Sequence, residues 1–232
     1  RYNPLLASGV FSGDPQQGMF VASSVAGGGW ARQIPSMVGI ELSWFGVVND
    51  AFSADQTTAL QAFMTWCGAN LRSPVCVSPT AVRVTAVITL DFASLAPGSR
   101  TPDVHLGGLS IQTSANTGFI IGSPSKKLEN ATIRLPSVVR SSINWSGTYK
   151  AYEAGVIVNN CYACTFHFGR IVGFTTGAML WSENYWITNS VFHDGNINDC
   201  RYSMMLIAVV GGIAGTGYVN ENSFYNTNIQ LT

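Results

Sequence analysis

Short apolar runs recur in step through the second half of this sequence. "GVIV" at 155, "GAMLW" at 177 and "SMMLI" at 203 start about 22 and 26 residues apart, with "GFII" at 118 as an earlier, weaker member. Behind each sits a second run: "NATIRL" at 130, "CTFHF" at 164, "NSVF" at 189 and "NSFY" at 222. Each unit therefore reads strand, turn, strand, turn. Strands this short cannot bury an apolar face alone, so the units are expected to stack, each covering the next, as a solenoid. No helices separate the strands, which excludes a doubly wound sheet, and long sandwich strands are missing. A parallel β-helix fits best. Asn159, Asn160, Asn189 and Asn222 stand where strands meet corners. Asparagine tolerates the left-handed backbone of a corner, and stacked amides can bond between coils, so these residues read as structural.

One helix interrupts the pattern. Over 54–69, Leu60, Phe63, Met64 and Cys67 fall three and four apart on one face, and Ser53 or Asp55 can cap the start. After it come "VRVTAVITL" at 82, "GGLSIQ" at 107 and "GFII", read as strands. The first coil of a solenoid exposes apolar interior and unpaired strand amides. An amphipathic helix just before that coil is expected to be its lid. Residues 1–40, rich in Gly, Ser and Pro, lack sustained periodicity and read as an irregular arm before a solenoid over 41–232.

Charged residues are 10% of the chain, twelve basic against twelve acidic, so no general field draws nucleic acid or an anionic membrane. No apolar run reaches the roughly 18 residues of a membrane helix; "MMLIAVVGGIAG" at 204 is short and broken by glycines. Nucleic acid and membrane insertion are not expected as partners. The start "RYNPLLASG" has neither an initiator Met nor a visible secretory signal, so a processed or partial chain is expected. Five cysteines, Cys67, Cys76, Cys161, Cys164 and Cys200, cannot all pair. Cys161 and Cys164 form a C-x-x-C, but a zinc site needs a second ligand pair and none is evident. Buried thiols are expected, with no metal and no cofactor.

The segment "WFGVVNDAFSADQTTALQAFMTWC" at 44–67 resembles the N-terminal signature of pectate-lyase-like right-handed β-helix proteins. Trp44, Phe45, Gly46, Asp50, Asp55, Thr57, Ala59, Leu60 and Gln61 match it; Val47, Asn49 and Ala51 depart. "VRVTAVITL" resembles the strand that follows. "GVIVNNCYACTFHFGRIVGFTTGAMLW" and "GYVNENSFYNTNIQL" resemble the coils of bacteriophage tailspikes and tail fibres, so the resemblance spans roughly 41–232. It implies an all-β fold, a right-handed single-stranded parallel β-helix with an N-terminal capping α-helix. It also implies a homotrimer on a virion tail, in company with other tail proteins, that meets a bacterial surface polysaccharide at the host cell surface. Since "NIQLT" closes no coil, further coils or a trimerisation region are expected to follow. The motifs of polygalacturonases and the calcium-binding aspartates of pectate lyases are not found, which disfavours pectin.

Glycoside hydrolysis needs two carboxyl groups about 5–9.5 Å apart. Candidate acids are Glu153, Glu183, Asp194, Asp199 and Glu221 in the repeats, and Asp103 before them. Glu183 in "WSENYW" and Asp194 in "FHDGN" follow strands of one unit, so they are the expected catalytic pair. Trp181, Tyr185 and Trp186 surround Glu183, and aromatic faces can stack on sugar rings. Trp181 is the expected core member, with Tyr185 and Trp186 as the platform. His193, beside Asp194, joins them as a substrate-binding residue, whereas His105 and His167 read as ordinary strand residues. The leading expectation is a phage tailspike that binds host capsule or O-antigen and cleaves it hydrolytically. The alternative is a non-enzymatic structural or receptor-binding tail-fibre β-helix. A secreted polysaccharide enzyme is a third class, weakened by the absent signal and pectinase motifs.

Overall fold

The computed structural model describes residues 2–3, 14, 17–23, 28–33, 39–142, 150–193, 195–208, 218–225 and 228–229. They form a parallel β-solenoid of about five turns. Each complete turn visits four sheets in the same order. Sheet I stacks Ile88–Leu90, Phe119–Ile121, Val156–Asn159, Thr176–Ser182 and Tyr202–Ala208. Sheet II is short, with Leu128–Glu129, Cys161–Tyr162, Trp186–Thr188 and Tyr218–Asn220. Sheet III runs from Ile40–Glu41 and Pro74–Val75 through Val104–His105, Thr132–Arg134, Thr165–His167 and Val191–His193 to Ser223–Tyr225. Sheet IV stacks Thr80–Val84, Leu109–Thr113, Ser137–Arg140, Arg170–Val172, Asn196–Asn198 and Asn228–Ile229.

The expected register is observed. Val156 pairs with Ala178 and Ala178 with Met204, so the runs at 155, 177 and 203 share one sheet. Thr132, Thr165, Val191 and Ser223 likewise stack in sheet III. The unit differs from the expected two strands because sheets II and IV contribute two more. "VRVTAVITL" splits into Thr80–Val84 of sheet IV and Ile88–Leu90 of sheet I, turning a corner at 85–87.

Alternation turns every second residue inward. Val82, Ile111, Val138, Ile171 and Ile197 form one fully buried ladder, and Val104, Ile133, Phe166 and Phe192 another. Phe192 lies stacked between Phe166 at 5.0 Å and Phe224 at 5.1 Å. Of the expected corner asparagines, Asn160 and Asn189 are left-handed, with φ 24° and 52°, and Asn130 joins them at 53°, whereas Asn159 ends a strand of sheet I. At the last corner the left-handed residue is Glu221 rather than Asn222. The Asn222 side chain instead bridges coils, accepting from Ser190 N at 3.1 Å and donating to Ile187 O at 2.9 Å.

The helix α1 spans Thr57–Ala69 and buries Leu60, Phe63, Met64, Trp66 and Cys67. It starts three residues later than expected because Asp55 makes a parallel bridge to Arg83, and Gln56 N donates to Arg83 O. Asp55 does accept the free amide of Thr57 at 3.1 Å; Ser53 supplies no side-chain cap, and Asp50 holds Ala54 N at 2.8 Å. Gln61 pairs with the edge strand of sheet I, donating to Thr89 O at 3.0 Å and accepting from Thr89 N at 2.9 Å. A side-chain amide thus takes the place of a further strand. Within the expected irregular arm, Tyr2–Asn3, Phe20–Ala22 and Gly29–Ala31 form a small antiparallel sheet. The buried Asp14 carboxylate gathers the amides of Gly18, Met19 and Phe20 at 3.0, 2.6 and 2.8 Å. All five cysteines are free and buried. No described helix is long and apolar enough to cross a membrane.

Candidate functional site

The corner between sheets I and II carries turns of unequal length, and that inequality makes a cleft. Residues 91–98 leave sheet I after Leu90, 122–127 after Ile121, and Glu183, Asn184 and Tyr185 after Ser182. Between them Asn160 turns the corner alone. Its amide donates to Ser123 O and Pro124 O, both at 3.0 Å, and its Oδ1 accepts from Glu183 N at 3.1 Å. Asn184 Nδ2 donates to Pro124 O at 2.8 Å. Two asparagines therefore stitch three turns into one wall.

The cleft holds about 250 Å³ and is lined by Leu95, Pro97, Lys126, Lys127, Glu129 and Tyr185. Lys127 Nζ is 3.1 Å from Glu129 Oε1 and lies over two rings, 4.9 Å from the Trp186 centroid and 5.2 Å from that of Tyr162. Cation–π attraction and an ion pair together fix this ammonium. Lys126 Nζ reaches Leu95 O at 3.5 Å across the cleft. Tyr185 is 37% exposed, so its ring remains open to a ligand.

Beside the cleft, Glu183 Oε2 accepts from Trp181 Nε1 at 3.1 Å. Trp181 packs edge-on against Tyr152 at 5.2 Å. Both belong to a second apolar cluster, with Ile120, Ile157 and Met179, on the outer face of sheet I. Trp181, expected as a core residue, packs in this outer cluster instead of the solenoid interior, because strand alternation turns it outward between buried Leu180 and Ser182. Asn159 Nδ2 donates to Tyr152 Oη at 2.9 Å and to Gly122 O at 3.2 Å. Burial pushes the Tyr152 phenol up; Asn159 opposes this, and the Glu183 and Asp91 carboxylates add to it. Asp91 is pushed up chiefly by burial, against the Ser123 hydroxyl and the Lys126 ammonium. Its Oδ1 is buried without a hydrogen-bond partner among the described residues. A carboxyl in that state holds its proton more readily than one in water, as a general acid must.

Of the expected site residues, Glu183, Tyr185, Trp186 and Trp181 come together at this corner. Lys127 occupies a face of Trp186, so Tyr185 is the open platform and Trp186 positions the ammonium. His193 lies elsewhere, on the outer face of sheet III stacked on His167 at 5.2 Å. Asp194 lies outside the described residues. Asp103 is paired with Arg100 at 2.8 Å, Glu153 with Lys150 at 3.6 Å, and Glu221 accepts from Thr188 Oγ1 at 3.4 Å. Burial raises the Cys161 and Cys164 thiols, the latter to about 11. No described group of three or more His, Cys, Asp or Glu side chains is placed to hold a metal ion. Sequence reading missed Asp91, Lys126, Lys127, Glu129, Tyr152 and Tyr162. Only the coil register, which sets "KKLE" beside "NCY" and "YWI", could have gathered most of them.

Comparison with family profiles, with curated proteins and with solved structures finds no match for this chain.

Proposed function

We propose that this chain is part of a phage tailspike that binds a bacterial surface polysaccharide, capsule or O-antigen, in the cleft between sheets I and II. The Lys127 ammonium, fixed by Trp186, Tyr162 and Glu129 beside the open Tyr185 ring, carries this reading. An aromatic face receives the C–H side of a sugar, and fixed charges receive hydroxyls or a carboxylate. The trimeric assembly implied by the resemblance belongs to the same proposal.

Hydrolysis of the bound chain is its second step. Water adds across a glycosidic bond while one carboxyl gives its proton to the leaving oxygen and a carboxylate takes one from water or attacks the sugar carbon. Asp91, held toward its protonated form by burial, suits the first role, and Glu183 the second; the charge of each raises the Tyr152 phenol. A binding-only tail-fibre role is the second reading, favoured by the Trp181 Nε1 bond that already engages one oxygen of Glu183.

The test exposes the protein to a panel of purified capsules and O-antigens, and follows binding and new reducing ends. The expected result is saturable binding to at least one glycan, weakened about tenfold or more by Tyr185→Ala or Lys127→Gln. Reducing ends that vanish in both Asp91→Asn and Glu183→Gln support hydrolysis. Binding without reducing ends leaves the binding-only reading. Binding that neither cleft substitution alters refutes the site.

A further inference from the structure

All three histidines of the chain fall in one vertical column. In sheet III, Val75 pairs with His105, His105 with Arg134, Arg134 with His167, His167 with His193, and His193 with Tyr225. Their neighbours Val104, Ile133, Phe166 and Phe192 are fully buried, so alternation turns the column outward. His105 and Arg134 are exposed, and His167 and His193 are half-buried. The His167 and His193 rings stack at 5.2 Å and the His193 and Tyr225 rings at 5.3 Å. The Arg134 guanidinium has no ion-pair or hydrogen-bond partner among the described residues. At a strand spacing of ~4.8 Å, His105 to His193 covers ~14 Å along the solenoid axis.

We propose that this column is a second binding surface, separate from the cleft, which takes a linear carboxylated polysaccharide lying along the axis. Arginine grips a carboxylate through two parallel hydrogen bonds, and imidazolium donates from both nitrogens. Thr132 and Thr165 sit in the next outward column and offer hydroxyl contacts to a sugar chain. The column carries one guanidinium and three imidazoles on a chain that is neutral overall, with twelve basic and twelve acidic residues, which suits a sparsely charged glycan better than a nucleic acid.

Acid strengthens such a surface. A protonated imidazole adds a cation to the column, and a bound anion relieves the repulsion between neighbouring imidazoliums. The charged groups around the column are few. Glu41 stands above it in register with Val75 and accepts from Val77 N; Asp103 is held by Arg100; Arg170 begins the neighbouring strand of sheet IV and adds a cation. Asp194 follows His193 outside the described residues.

Fluorescence anisotropy with labelled oligogalacturonate tests the surface on the full chain. Binding is expected to strengthen about tenfold or more from about pH 8 to about pH 5.5 and to weaken with salt. Arg134→Gln is expected to lose about tenfold at either pH, and His167→Gln with His193→Gln to flatten the pH dependence. All three side chains point outward, so unchanged melting midpoints check the fold; if the double variant unfolds, Arg134→Gln and the wild-type pH profile decide. Binding that ignores pH, survives Arg134→Gln, or is matched by neutral dextran or by a single-stranded DNA oligomer overturns the proposal.

Discussion

Residue identity is most constrained where backbones approach. Gly118, Gly155 and Gly177 follow one another up sheet I, and a Cβ on Gly155 would lie 2.5 Å from Ile171 Cγ2 and 2.8 Å from Gly177 O. These glycines were legible because each opens an apolar run of the repeat. The buried thiols were legible only as a type: an odd count argued against pairing, but nothing in the spacing said that Cys161 would be fully enclosed beside Ser190. Their burial gives an alkaline liability. The Cys164 thiol is pushed from 9.0 to about 11 in the folded chain. Below pH 9 both states keep the proton and stability is unaffected. Above it the unfolded chain ionises first, so stability falls until the folded thiol follows near pH 11, by on the order of 2 to 3 kcal/mol. Urea midpoints measured from about pH 8 to 11 are expected to drop less in Cys164→Ala than in the wild type. Parallel curves for the two proteins would reject this cause.

Elements were legible in proportion to their apolar periodicity. Helix α1 showed its buried face three and four residues apart, while its start was displaced because Asp55 and Gln56 pair with Arg83, contacts across 28 and 27 residues that no local pattern reports. Sheet II and the later strands of sheet IV were hidden because "CY", "WIT", "RIV" and "NIN" are too short to alternate visibly. The role of α1 as a lid rests on Gln61, which gives the edge strand both the donor and the acceptor it lacks. Gln61→Ala leaves the Thr89 N–H and C=O without these partners, at a cost of about 1–3 kcal/mol. Gln61→Glu retains the acceptor but loses the donor, and is expected to fall between. Hydrogen exchange at Thr89 is the readout, since the amide should lose protection in Gln61→Ala while Ile157, three strands into the sheet, keeps its own. Equal protection at Thr89 in wild type and variant would remove the edge-pairing role.

At the scale of the molecule, the repeat announced a solenoid, but the site depended on coil lengths that vary from 22 to 37 residues along sheet I. That variation decides which turns overlap. It brings Lys127 onto Trp186 and sends His193 to another face, away from Glu183, which shares its coil. The same architecture makes damage local, because each coil touches only its neighbours. Phe192 fills the interior between Phe166 and Phe224, with Phe168 beside it, and Phe192→Ala removes these stacked contacts at a cost of about 3–5 kcal/mol. The loss should fall on the coils around it. Amides of 165–167 and 191–193 are expected to exchange faster, whereas those of Thr80–Val84, four coils from Phe192, keep near-wild-type protection. Uniform acceleration across all sheets would mean that the solenoid opens as one unit, with coil-to-coil coupling stronger than nearest-neighbour stacking provides.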